Sequence, residues 1–161
     1  MAITCRLRPL SPSLPRHSSA MPPTKAYILV YEGTPLDFSE YRHTALHFAF
    51  AGAPSSTTMH VVGTQGLFEF QEDVDQDPRD GGDLARMIPV GDIPGSVSAA
   101  AIKKTVSATP VRNGRADLDW NCQNWVGDAL AQMVESGFFT EAQRAVAIDL
   151  MLDVCLEAKD G

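Results

Sequence analysis

Residues 42–62 read RHTALHFAFAGAPSSTTMHVV, and the fold turns on how they are read. Residues 42–50 have the make-up of a strand. With a side-chain period of two, His43, Ala45, His47 and Ala49 share one face, and Leu46, Phe48 and Phe50 share the other. Residues 51–56 are rich in Gly, Pro and Ser and read as a turn. Residues 57–62, TTMHVV, read as the next strand. His43 and His60 therefore fall on successive strands, and if the two strands pair, their rings approach near one sheet edge. His47 lies four residues beyond His43, about 13 Å along the strand, and reads as a satisfied polar group.

Outward from this pair, residues 26–31 (AYILVY) read as a buried strand bounded by Gly33 and Pro35. Residues 36–41 are a connector. Residues 63–66 form a tight turn, and residues 67–70 return as a fourth strand. Residues 71–83 are acidic, and without the ordered spacing of a calcium loop they read as a solvated loop. Residues 85–90 form a fifth, edge-like strand, because Pro89 has no N–H to give a ladder. Residues 96–106 are a helix or a short mix of helix and strand. Residues 121–135 carry Trp125, Val126, Ala129, Leu130, Met133 and Val134 on one apolar stripe. Asn121 reads as its N-cap, with Asn124 three residues on, and Gly137 reads as its stop. Thr140 caps a last helix over 141–157, with Ala142, Val146, Leu150 and Val154 expected to face the core. The class is α+β, a small antiparallel sheet followed by packed C-terminal helices.

The chain has 161 residues and a net charge of -7. Residues 1–30 hold four basic groups (Arg6, Arg8, Arg16, Lys25) and no acid, so the remainder carries -11. Such a body suits neither a phosphate backbone nor an anionic membrane surface. No apolar run approaches the length of a transmembrane helix. Three scattered cysteines make neither a disulfide scaffold nor a structural zinc site, which favours a reducing compartment. Residues 1–20 read either as an organellar transit segment, rich in Arg and Ser, or as a tail upstream of a functional start at Met21. The domain proper is then 21–161, cytoplasmic in the second reading and mitochondrial in the first.

Chemistry points to Cys122. It follows the expected N-cap, on the first turn of a helix, where free N–H groups and the helix dipole stabilise a thiolate. The same N–H groups can hold an oxyanion. A thiol nucleophile needs a base within hydrogen-bond reach. His43 and His60 supply two imidazoles, one to deprotonate Cys122 and one to orient the first. Gln123 offers an amide that either helps hold the oxyanion or bonds to a loop or water, Asn121 is the cap, and Trp120 either walls the cleft or covers the helix start. Cys155 reads as a small buried hydrophobe.

The pieces His43-Thr44-Ala45-Leu46, Met59-His60-Val61-Val62-Gly63 and Asn121-Cys122-Gln123-Asn124-Trp125-Val126 together resemble the permuted NlpC/P60, papain-like group. That group includes the lecithin:retinol acyltransferase-like proteins, with an H-W-x-x-Y-like strand and an N-C-E-H-F-V-like helix. A closer likeness, over roughly residues 26–137, is to small uncharacterised fungal proteins with an R-H-W-A-L-F strand and an N-C-Q-x-W-V helix. The resemblance implies Cys122 as nucleophile, His43 as base and His60 as the orienting third member. It implies hydrolysis or transfer of an acyl group through a thioester, on a small-molecule, lipid or peptide substrate, with no cofactor. Thr44 stands where an aromatic is usual, and Gln123-Asn124 stands in place of Glu-His. Two other readings remain: a catalytically silent papain-like binding module, and a zinc hydrolase built on His43, His60 and Cys122.

Overall fold

The run TKAYILVY forms strand β1 (Thr24–Tyr31). It is followed by a single 3-10 turn at Ser39–Tyr41, then β2 (His43–Ala49), β3 (Ser56–Val62), β4 (Glu69–Val74) and β5 (Leu84–Ile93). Three helices close the chain: α1 (Ala99–Ser107), α2 (Cys122–Glu135) and α3 (Glu141–Leu156). The computed structural model describes residues 21–51 and 55–159. The basic segment 1–20, with its transit or tail reading, and the tip of the turn after β2 lie outside the described residues.

The strands make one antiparallel sheet in the order β4-β3-β2-β1-β5. The α+β class and the antiparallel sheet against C-terminal helices are therefore as expected. Alternation sorts the side chains. Ala26, Ile28, Val30, Leu46, Phe48, Met59 and Val61 form one face and join the core under the helices. Each fully buried large side chain there stabilises the fold by about 1.5–3 kcal/mol. Helix α2 lies against β2 and β3, α3 lies against β5 and β1, and α1 packs on α2.

The opposite face carries Tyr27, Leu29, Tyr31, His43, Ala45 and His47. Among the described residues no helix lies over it, yet Leu29 and Ala45 are fully buried. The connection from β4 to β5 explains this. It must pass from one edge of the sheet to the other in residues 75–83. Four strand spacings are about 19 Å, and nine extended residues reach about 30 Å. The 75–83 segment therefore has the reach to cross, and it lines pockets with Tyr27, Tyr31, His43 and His47 on this face.

Three expectations need correction. The fourth strand begins at Glu69 rather than 67, and it runs on to Val74, so residues 71–74 are ladder and not loop. Glu72 and Asp73 pair with Met59 and Thr58 and point to opposite faces of the ladder, which composition alone concealed. The segment expected at 96–106 narrows to a plain helix over Ala99–Ser107, with the Ser98 hydroxyl accepting from Ala101 N–H as N-cap. In α3 the buried residues are Ala147, Met151, Val154 and Cys155, while Val146 and Leu150 are exposed. This helix is apolar nearly all round, so spacing did not fix which stripe faces the sheet. Helix α2 does follow its expected stripe, and Gly137, at φ 75°, ends it with the Phe138 N–H to Met133 carbonyl bond of a Schellman turn.

Candidate active site

Helix α2 begins as its sequence dictates. The Asn121 side chain accepts from Gln123 N–H at 2.9 Å and Asn124 N–H at 3.3 Å. The Asn124 side chain accepts from Asn121 N–H at 3.0 Å, closing a capping box with Asn in the role of Glu. The Asn121 amide oxygen is thus committed to the cap, and the N–H of Cys122 stays outside it. Cys122 opens the helix with 9% of its surface exposed. Its thiol donates to the Arg42 carbonyl at 3.9 Å. The Gln123 amide donates to the Ser39 carbonyl at 2.9 Å and to the Arg42 carbonyl at 3.4 Å. Gln123 therefore acts as a tie between α2 and the segment just before His43, not as a free donor over the sulfur.

Arg42 is itself fixed. Its guanidinium grips Asp37 through two bonds of 2.8 and 2.6 Å, and it donates to the Val154 carbonyl of α3. The Arg42 bonds hold the Asp37 carboxyl well below the usual carboxylate range, assisted by the Gly33 N–H. The first residue of β2, His43, is positioned by this clamp.

His43 stacks on Tyr31, its partner across the β1–β2 ladder, with ring centroids 5.9 Å apart and planes 24° from parallel. His43 Nε2 and His60 Nδ1 are 2.7 Å apart, a hydrogen bond. The β2–β3 register sets this: Leu46 pairs with Met59, which puts His60 diagonally beside His43 on one face. On the far side of His60, its Nε2 lies 3.1 Å from Asp73 Oδ2. That contact is bent from in-line geometry, and Nε2 is closed to solvent. Asp73 pairs with Thr58 across β3–β4, two positions from the partner of His60 and on the same face. Burial lowers the His43 pKa to about 4, with the neighbouring His60 adding to the shift. Burial also lowers His60, with Asp73 opposing. Tyr31 is pushed up to about 12 by burial and by Asp83 and Asp73. His47 bonds to Thr58 at 2.8 Å, buried and away from the pair, as its strand position implied.

Two cavities meet at the histidines. A groove of about 860 Å³ is lined by Cys122, Trp120, Phe68 and Val62 together with His43 and His60. A second, of about 440 Å³, lies between Tyr31, Asp73 and Asp83, and the same two histidines line it. Trp120 walls the first groove, edge-on to Phe68 at 5.5 Å, with its indole N–H 3.4 Å from Asp128. The structure thus brings His43 and His60 into direct contact and sets Cys122 in the same groove. The Cys122 hydrogen bond goes to a backbone carbonyl and not to an imidazole.

Among the described residues, no three His, Cys, Asp or Glu side chains come together to hold a metal ion. The zinc reading also meets a geometric obstacle. Two nitrogens sharing a tetrahedral zinc stand about 3.3 Å apart, whereas His43 and His60 bond to each other directly. Sequence reasoning missed Asp73 by assigning it to a loop. The alternation of Glu69, Gln71 and Asp73 was the available signal.

A model described as "Family of unknown function (DUF6540)" matches residues 26–140. The chain belongs to the DUF6540 family. The DUF6540 span runs from within β1 to the N-cap of α3, so it contains all of the sheet but Thr24 and Lys25, with α1, α2, His43, His60, Asp73 and Cys122. No curated protein and no solved structure matches the chain.

Proposed function

We propose that this DUF6540 protein is a thiol-dependent hydrolase or acyltransferase of permuted papain-like, NlpC/P60-like design, with Cys122 as nucleophile. The observation that carries the proposal is the His43–His60 hydrogen bond at 2.7 Å in the groove that Cys122 also lines. In the reaction, the Cys122 sulfur swings from the Arg42 carbonyl toward His43. His43 takes the thiol proton as the sulfur attacks the acyl carbon. The oxyanion forms at the N-terminus of α2, within reach of the uncapped Cys122 N–H. The carbon–leaving-group bond then breaks, and the leaving amine, alcohol or thiol takes the proton from His43. The Cys122 thioester is resolved by water or an acceptor, with His43 again taking a proton, and the thiol returns. Burial lowers the His43 pKa to about 4, which leaves its lone pair free at neutral pH but makes it a weak base for a thiol proton. The scissile bond is an amide, ester or thioester.

The test is steady-state turnover of small acyl esters, thioesters and amides. Turnover is expected in the wild type, and a loss of about 100-fold or more is expected in both Cys122→Ala and His43→Ala. Equal rates in all three proteins would remove the proposal. A second reading, a binding module that does no chemistry, is favoured by the resting place of the thiol against the Arg42 carbonyl. It predicts no turnover and no acyl-enzyme in any protein.

A further inference from the structure

The hydrogen bond between the rings leaves a question of direction, since a neutral imidazole carries one N–H and one lone pair. The far end of the chain answers it. Asp73 is a carboxylate, and it can only accept. His60 Nε2 lies 3.1 Å from it. That nitrogen is closed to solvent and makes no in-line hydrogen bond among the described residues, which leaves the Asp73 carboxylate as the polar contact recorded for it. A lone pair held against a carboxylate oxygen would be repelled, even with the contact bent. The proton of His60 therefore belongs on Nε2, which makes Nδ1 the acceptor toward His43. His43 must then donate from Nε2, and its lone pair is left on Nδ1.

We propose that Asp73 is a positioning residue that sets the tautomers of both histidines, leaving His43 Nδ1 as the base that faces the thiol. This rests on the acyl-transfer reading of Cys122 only in its last clause, since the order of protons among Asp73, His60 and His43 stands without it. When His43 Nδ1 takes the thiol proton, its Nε2–H stays on His60 Nδ1. The new positive charge is then stabilised through His60 toward Asp73. An Asn at 73 can donate as well as accept, so it no longer dictates which His60 nitrogen carries the proton. Asp73 lies on the edge strand β4 with 38% of its side chain exposed, so a substitution there spares the core.

The experiment is long-range proton–nitrogen NMR of the ¹⁵N-labelled full chain at pH 7, beside the rate at which iodoacetamide alkylates Cys122. Both rings are expected to be Nε2-protonated in the wild type. In Asp73→Asn, mixed tautomers and alkylation slower by about ten-fold or more are expected, with Asp73→Glu restoring part of the rate. An Nδ1 proton on either wild-type ring overturns the proposal, as do tautomers unchanged in Asp73→Asn. If the tautomers behave as stated but alkylation is insensitive to His43→Ala, the proton order is upheld and the thiol chemistry fails. The two claims are thereby separated.

Discussion

His43 carries a consequence for stability as well as for chemistry. A histidine in an unfolded chain protonates near pH 6.5, whereas burial holds folded His43 neutral to about pH 4. As pH falls below 6.5, the unfolded state takes up a proton that the folded state refuses, so stability declines across that window and levels off below about 4. The effect of this one group is about 3 kcal/mol. His47 and His60, also lowered by burial, act in the same direction. Urea unfolding from pH 7 to pH 4 is expected to show this decline, and His43→Gln is expected to remove a large part of it. A slope unaltered by the substitution would contradict the burial argument. At this scale the sequence disclosed the nucleophile candidate and both imidazoles, because a residue type at a strand or helix start can be read locally. Asp73 stayed hidden because its part depends on the β3–β4 register, which composition does not carry.

Among the elements, α2 was legible almost to the residue and α3 was not, and the contrast has a physical cause. Helix α2 has polar residues that interrupt all but one stripe, a cap in Asn121 and a stop in Gly137. Helix α3 has apolar residues at 145–148, 150–152 and 154–156, so several stripes compete and only the sheet decides between them. Met151 is 2% exposed and Leu150 is 44% exposed. Met151→Ala is therefore expected to cost about 2–4 kcal/mol in chemical denaturation, and Leu150→Ala less than about 1 kcal/mol. The reverse ranking would restore the stripe expected from spacing. Strand β4 failed for a related reason: Gln, Glu and Asp in an edge ladder with one wet face look like a loop.

Across the whole molecule, the 75–83 crossing and one buried ion pair frame the histidine site. The 75–83 crossing lies beside Tyr31 and the histidines and lines their cavity. The Asp37–Arg42 pair fastens the approach to β2 to the end of α3, and Lys159 N–H adds a bond to Asp37 at 3.3 Å. Removing one partner of such a pair leaves the other charge buried without compensation. Arg42→Met is accordingly expected to lower Tm at pH 7 and to loosen the start of β2, where the thiol and Gln123 both rest. The loss should shrink in strong acid. The depressed Asp37 contributes stability above its unfolded value near 3.9, and that contribution disappears as pH falls through the lower folded value. The class and the order of elements could be read from the sequence. The crossing that buries the second face could not, because it is a long-range closure set by nine residues of loop.

The central claim is tested most directly by intact-mass and peptide mapping after brief exposure to p-nitrophenyl acetate at pH 7. One acetyl group on Cys122 in the wild type, absent from His43→Ala under the same conditions, is the predicted result. An unmodified Cys122, or one acetylated equally fast without His43, would contradict it.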